Sequence, residues 1–219
     1  MGNAKDVKRS KMEVATIDVE LVTIETAKGE FGFDTSNKVE VEVQTEDTDA
    51  VKLVVKGKLR AQKKGQKTVT GNQITLTDNV FNPELVLVLQ GGKIVYDTAD
   101  TSKIIGYDAP VAGSDDKGET FVLNCYSAQY DAGGNIVNYE KISYPNCTGE
   151  PVSFNSEDGA FRAPEYVIDS APSKGQPPYS IRYVDELPTL VEDIASGGSG
   201  DTGTDNQDTG NTDAGQTTP

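Results

Sequence analysis

The stretch KVEVEVQ (residues 38–44) alternates valine with charged or polar residues along its whole length. Successive side chains of a β-strand point to opposite faces of the sheet, so the three valines share one face. A strand with one apolar face and one polar face is typical of an antiparallel sheet that covers a core on one side. This pattern predicts a mainly β fold.

The next segment, residues 51–60, alternates in the same way, with Leu53, Val55 and Leu59 on one face and cations on the other. We predict that it forms one strand, paired with residues 38–44 through a hairpin at residues 45–50. This pairing would bring Glu40 near Lys56. Opposite charges across two strands stabilise a sheet only slightly, so they would set the register more than the stability.

A strand is also predicted upstream, over residues 14–24, with Ile17, Val19 and Leu21 on one side. Downstream, residues 171–178 are rich in proline and predict a loop, and residues 179–184 predict a last strand.

A second hairpin is predicted from two β-rich segments, residues 120–130 and 136–144, around the turn sequence DAGGN. Pairing Tyr130 with Ile136 would place Cys125 opposite Lys141. Cys147 would then lie six residues farther along, about 20 Å in an extended strand. This spacing favours two free thiols over a disulfide.

One short helix is predicted over residues 82–92. Asn82 is suited to the N-cap, Pro83 to the first helical position, and Gly91-Gly92 to the end. The segment is apolar nearly all round, so it must be covered on most sides. Candidates for this cover are the phenylalanines at positions 31, 33 and 81.

The chain ends in a polar segment, residues 196–219, that contains no aromatic residue and no Val, Leu or Ile. Such a segment buries too little apolar surface to offset the entropy of ordering, so it is predicted to be disordered. The predicted organisation is an N-terminal arm (residues 1–12), a β-sandwich or barrel-like domain of two packed antiparallel sheets with one flanking helix (residues 13–195), and this tail.

Charge is unevenly distributed within a net charge of −15. Residues 1–67 hold 13 basic and 12 acidic residues, whereas residues 68–219 hold 7 and 23. An acidic surface repels polyphosphate, so binding of nucleic acid by phosphate neutralisation is not expected. No apolar run approaches the roughly 20 residues of a membrane-spanning helix, and the first residues lack the apolar core of a signal peptide. We therefore expect folding in a cytoplasm and no membrane partner.

Residues that carry chemistry are scarce. The chain has no histidine, which removes the usual base for nucleophile activation and the commonest metal ligand. Asp115-Asp116 lies in a polar loop and is interpreted as a solvated turn. No phosphate-cradling glycine motif occurs. We therefore expect no enzyme activity, no catalytic, cofactor-binding or metal-binding residues, and no cofactor.

Several stretches resemble the major tail tube proteins of tailed bacteriophages and related prophages of Gram-positive bacteria. They are residues 68–92 (TVTGNQITLTDNVFNPELVLVLQGG), 106–154, 157–172 (EDGAFRAPEYVIDSAP) and 181–188 (IRYVDELP). The match lies in general character and phrasing and covers most of residues 10–190.

The resemblance implies two packed β-sheets with a short flanking helix. It also implies a homohexameric ring, with rings stacked into a hollow tube within the virion tail. Strands of neighbouring subunits would join in an inner barrel, which would remove free strand edges. The tape measure protein and later the DNA would occupy the lumen without specific binding, and tail terminator and baseplate proteins would be further partners. Assembly would take place in the host cytoplasm.

Two segments are candidates for contacts between rings. One is a predicted loop with Glu30, Phe31, Phe33 and Asp34, and the other is a basic hairpin tip with Lys63, Lys64 and Lys67. A basic tip that meets an acidic rim would bind in a salt-sensitive manner.

Two other functions fit the sequence. The first is another virion ring protein, such as a head decoration or tail terminator subunit. The second is a carbohydrate- or partner-binding β-sandwich, in which tyrosines of the second hairpin stack on sugar rings; these are Tyr126, Tyr130, Tyr139 and Tyr144. Cross-strand packing is the simpler explanation of the tyrosines.

Overall fold

The computed structural model describes residues 15–191, which form twelve β-strands and one α-helix. In chain order the elements are β1 (Ala15–Thr26), β2 (Gly29–Phe33), β3 (Ser36–Asp47), β4 (Val51–Val55), β5 (Lys58–Lys63), β6 (Lys67–Asp78), α1 (Pro83–Gln90), β7 (Lys93–Tyr96), β8 (Ile104–Asp108), β9 (Phe121–Tyr130), β10 (Ile136–Gly149), β11 (Glu165–Ser170) and β12 (Ser180–Val184). The predicted N-terminal arm and the predicted disordered tail lie outside the described residues.

Eight of these strands form one antiparallel sheet in the order β2-β1-β9-β10-β11-β6-β3, with β12 beside β11 on the same edge of β10. The pairs β4-β5 and β7-β8 form two further small sheets. β3, at one end of the large sheet, comes back into contact with β1 near the other end. The predicted fold class, mainly β with antiparallel sheets and one short helix, is thus confirmed.

The core lies on one face of this curled sheet. β1, β6, β9 and β11 contribute alternating apolar side chains, and the helix covers them from one side. The fully buried members are Val22, Ile24, Ile74, Leu76, Leu85, Val86, Leu123, Cys147, Tyr166 and Ile168. Burial of this apolar surface is the main force that holds the sheet against α1.

The helix begins and ends as its sequence predicts. The Asn82 side chain accepts hydrogen bonds from the backbone N–H groups of Glu84 and Leu85, at 3.0 and 3.1 Å. Gly91 closes the helix with φ 83°, and its N–H donates to the Leu87 carbonyl oxygen at 2.9 Å. Four of its eight residues are buried: Leu85, Val86, Val88 and Leu89. Phe33 belongs to the same core cluster and Phe31 packs against it, whereas Phe81 is exposed and stacks on Phe154.

The second hairpin, β9-β10, is confirmed with Tyr130 paired to Ile136. Asp131 shapes the turn, since its carboxylate accepts hydrogen bonds from the N–H groups of Gly133 and Asn135. The predicted pairing of Cys125 with Lys141 is wrong by one residue. An irregularity between Ile136 and Asn138 shifts the register, so Cys125 lies opposite Ile142.

Both cysteines are free and buried. Burial raises the pKa of the Cys125 thiol to about 12 and that of the Cys147 thiol to about 11. Because the thiolate is the reactive form of cysteine, both side chains are chemically inert at neutral pH.

The prediction for residues 51–60 is wrong. The chain reverses at Lys56-Gly57, and β4 pairs with β5 instead of continuing as one strand. β3 pairs with β6, so Glu40 lies opposite Thr75 and forms an ion pair with Lys38 rather than with Lys56. The turn places Leu59 opposite Val54, not on the face of Leu53, and the extra residue Arg60 in β5 then brings Ala61 opposite Leu53.

The predicted strand at the N-terminal end is confirmed as β1, but its simple alternation is not. Pairing with β9 is interrupted between Ile17 and Leu21, where Asp18 has φ 61°. After this bulge four consecutive residues, from Leu21 to Ile24, are buried. Ile17 is exposed and therefore does not share the environment of Leu21.

The loop at residues 171–178 and the last strand, β12, are confirmed. Strands that the sequence pattern did not predict are β2, β6, β7, β8 and β11. Short strands such as β7 and β8 have too few residues for a clear alternation.

Candidate assembly surface

A long two-stranded ribbon leaves the large sheet where β3 and β6 lose their neighbours. Beyond the last β3-β6 pair, Asp47 with Lys67, a hydrogen bond from the Thr48 N–H to the Gln66 carbonyl oxygen continues the ribbon at 3.0 Å. β4 and β5 then carry it to the turn at Lys56-Gly57. We call residues 48–67 the projecting hairpin. At about 3.3 Å per residue it extends about 30 Å past Asp47.

No residue of the projecting hairpin is buried. Its large aliphatic side chains are 41–65% exposed: Val51, Leu53, Val54, Val55 and Leu59. They lie on both faces, since Leu53 pairs with Ala61 and Val54 with Leu59. A lone two-stranded hairpin is marginally stable in water, and a concentrated apolar surface of this kind marks an interaction site.

The projecting hairpin is also strongly basic. It holds seven basic residues and one acidic residue, whereas the other described residues hold 9 basic and 26 acidic residues. The hairpin therefore carries a net charge of +6 on a body of net charge −17. None of its cations forms an ion pair with another of residues 15–191. The charge is complementary to the rest of this same chain.

The valine face of β3 continues this uncovered surface into the body. Val41 lies opposite Ile74, and both side chains point to the same face of the sheet. Ile74 is fully buried, but Val41 and Val43 are 40% and 48% exposed. The strand that was predicted to be half-buried therefore extends beyond the core at Val41 and Val43. β3 is the last strand of the sheet, and no described segment covers these two side chains.

Three strands of the large sheet leave an edge free among residues 15–191. β2 pairs only with β1, β3 only with β6, and β12 only with β10. An unpaired edge presents backbone N–H and carbonyl groups to any strand that can add to it. The fold thus offers both apolar side chains and backbone groups for association.

Of the predicted contact residues near position 30, Glu30, Phe31 and Phe33 lie in the strand β2, not in the predicted loop, and Asp34 directly follows that strand. Phe33 is buried in the core, Phe31 is half-buried against it, and Glu30 accepts a hydrogen bond from the Thr23 hydroxyl at 2.6 Å. Glu30 and Asp34 are exposed. These four residues are not adjacent to the projecting hairpin in the sheet order, because β2 and β3 lie at its opposite ends.

The basic segment with Lys63, Lys64 and Lys67 is exposed, as expected, but it is not a hairpin tip. It joins β5 to β6 at the midpoint of the ribbon, and the tip is Lys56-Gly57. The glycine at position 57 between two apolar segments is the signal that could have identified this turn.

The tyrosines of the second hairpin do not form an exposed stacking platform. Tyr126 and Tyr144 are buried, and Tyr130 and Tyr139 are half-buried. Tyr126 lies opposite Lys141, whose ammonium group is 5.5 Å from the ring centroid. Packing across strands thus accounts for the two buried rings.

Asp115 and Asp116 lie in an exposed loop, and the Asp116 carboxylate accepts a hydrogen bond from the Gly92 N–H at 3.1 Å. Within residues 15–191, no three acidic or cysteine side chains come together in a way that could hold a metal ion. In the same part of the chain, the helix is too short to span a membrane.

Comparison with known proteins finds no matching family model and no matching curated protein. Among solved structures, a chain of the anti-feeding prophage baseplate, determined by cryo-EM with six-fold symmetry, aligns over 80% of this chain and 95% of that one. The identity is 10% and the TM-score is 0.32. Functional interpretation therefore rests on the geometry and charge of the chain itself.

Proposed function

We propose that this chain is a non-enzymatic structural protein of a phage or phage-like particle that works by assembling with copies of itself. The observation that carries the proposal is the projecting hairpin, whose five aliphatic side chains are exposed on a basic ribbon. A soluble protein rarely keeps such a surface uncovered, so it is expected to be buried against a partner.

Charge supports a second copy as the partner. The hairpin has net charge +6 and the rest of the described chain −17, so the hairpin of one copy is attracted to the body of another. Within residues 15–191 the hairpin cations have no acidic partners, which leaves them available for such a contact.

The geometry also favours a repeating assembly over a closed dimer. The hairpin and the acidic body are different surfaces, and a contact between unlike surfaces leaves the opposite surface of each copy free for the next. Such heterologous contacts form rings or filaments. The free edges of β2, β3 and β12 would be covered in the same assembly.

In its specific form, the proposal is a tail tube subunit. Copies would form hexameric rings that stack around a lumen, through which the tape measure protein and the DNA pass without specific binding. Tail terminator and baseplate proteins would cap the ends, and the subunit would reside in the virion tail. Residues 68–92 resemble tail tube proteins, which supports the proposal of a tail tube subunit. These residues include most of β6 and all of α1, two elements that build the core.

The test is negative-stain electron microscopy of the purified full chain over a concentration series, with mass photometry in parallel. We expect six-fold rings or tubes with a central lumen. Closed trimers or single rings that never stack would instead indicate a decoration or terminator subunit. Monomers at every concentration, even beside a tail initiator complex, would refute the proposal of self-assembly.

A further inference from the structure

A loop between β10 and β11 holds one aromatic ring entirely in solvent. Phe161 follows the turn formed by residues 157–160 and is fully exposed, more than any other large apolar residue described. Exposed aromatic side chains on a surface are enriched where proteins bind one another. A ring that contacts nothing within its own subunit has no role in holding the fold.

The base of this loop is fixed by several contacts. The Arg162 guanidinium donates to the Ser156 hydroxyl at 2.8 Å and lies 5.8 Å from the centre of the Phe154 ring. Phe154 in turn stacks edge-on against Phe81, with centroids 5.5 Å apart. At the far end the Pro164 carbonyl oxygen accepts a hydrogen bond from the Asp78 N–H. Phe161 is thus presented on an ordered support, which lowers the entropic cost of binding.

The same molecule has an open cavity whose size and chemistry suit an aromatic side chain. It measures about 550 Å³ and lies between the end of α1, the end of β10 and the loop at residues 109–118. Its lining is mainly apolar: Leu89, Ala109, Pro110, Val111, Ala112 and Pro151. Val111 is 78% exposed at this position. Pockets of this volume enclose ligands that are larger than one aromatic side chain, so the cavity has room for a phenyl ring.

Two glycines keep the floor of this cavity close to the helix. A Cβ atom at Gly149 would lie 2.6 Å from the Leu89 Cα atom, and one at Gly118 would clash with the Leu89 carbonyl oxygen. The cavity loop is further tied to the helix by a hydrogen bond from the Glu119 N–H to the Val88 carbonyl oxygen at 2.8 Å. The cavity is therefore built on rigid elements.

We infer that Phe161 of one copy inserts into this cavity of the next copy. Its own cavity is not the recipient, because the Arg162 and Phe154 contacts hold the loop with Phe161 in solvent. The two surfaces match in chemistry, because an uncovered aromatic ring meets an open and mainly apolar cavity that is large enough to hold it. A knob and a socket on different parts of one chain make a heterologous contact that propagates from copy to copy.

This inference rests on the proposed self-assembly and adds a second contact, separate from the projecting hairpin. It predicts that Phe161→Ala raises the concentration needed for assembly about tenfold, the effect of losing one central aromatic anchor. The matched control is Val137→Ala, since Val137 is 54% exposed on β10 and lies outside the cavity lining. Both variants should keep the wild-type melting temperature, because neither side chain is buried.

Cross-linking tests the contact directly. Phe161→Cys and Val111→Cys proteins are mixed and oxidised, and mass spectrometry identifies any disulfide that joins the two chains. We expect this linkage in the mixture and not when Val137→Cys replaces Phe161→Cys; the native thiols are buried and do not interfere. If copies assemble but the mixture gives no more linkage than the control, the Phe161 contact is wrong and self-assembly stands. If copies do not assemble, both proposals fail.

Discussion

Glycine at position 149 shows how one residue determines the position of the helix. β10 ends there, directly against Leu89 of α1, and the approach is so close that a methyl group at Gly149 would lie 2.6 Å from the Leu89 Cα atom. A backbone atom cannot turn aside as a flexible side chain can. The helix must therefore shift away from the sheet if position 149 carries a side chain.

We predict that Gly149→Ala lowers the free energy of unfolding by about 1–3 kcal/mol, the usual cost of overpacking. The measurement is thermal and urea unfolding followed by circular dichroism. Gly106→Ala is the control, because its Cβ would meet only the Val95 Cβ atom at 3.8 Å, an ordinary contact. Equal stability of the two variants would show that the α1-β10 approach is not tight.

The projecting hairpin combines two properties that seldom occur together. It is a regular ribbon with a tight turn, yet its apolar side chains have no core to enter. Leu53 and Leu59 lie on opposite faces because Leu59 pairs with Val54, the residue that follows Leu53 in β4. A partner that covers the hairpin must therefore enclose it rather than lie against one side.

Replacing Leu53 and Leu59 together by serine should abolish assembly while the melting temperature changes little, since substitutions of exposed residues seldom alter stability much. Size-exclusion chromatography with light scattering measures the first, and calorimetry measures the second. The control replaces Ile136 and Val137 by serine, two residues that are also about half exposed but lie on β10. Normal assembly of the hairpin variant would exclude the hairpin as the contact.

Opposite charges are separated between the projecting hairpin and the rest of the described chain. A basic hairpin of net charge +6 on a body of −17 would attract the hairpin of one copy to the body of another. The same negative body would repel DNA, as the proposed lumen that conducts DNA without binding it would require.

We predict that the rate of assembly falls at least about tenfold between 0.1 M and 1 M NaCl, as the Debye length shortens from about 10 Å to about 3 Å. Stopped-flow light scattering gives the rate. A variant with Lys52, Lys58 and Arg60 replaced by glutamine should assemble more slowly at low salt and respond less to salt. A wild-type rate that does not change with salt would mean that charge does not guide the association.

Features that depend on a few neighbouring residues were predictable from the sequence. Asn82, Pro83 and Gly91 determine the helix ends because capping involves only the first and last turns. The DAGGN turn fixed the β9-β10 pairing at Tyr130 and Ile136 for the same reason, until a bulge shifted the register by one residue. The exposed basic segment at Lys63–Lys67 was also recognised, although not its place within the ribbon.

The choice of strand partners was decided only by the tertiary structure. Residues 38–44 have the same alternation whether they pair with 51–60 or with β6, and only β6 has buried residues, such as Ile74 and Leu76, that extend the core. Alternation likewise predicts that Val41 and Val43 face inward, but whether anything covers them depends on which strand ends the sheet. The class of fold, the helix and the excess of acidic residues follow from the sequence alone. The tertiary structure left a valine face and a basic hairpin uncovered, because pairing and burial are set by segments distant in the chain.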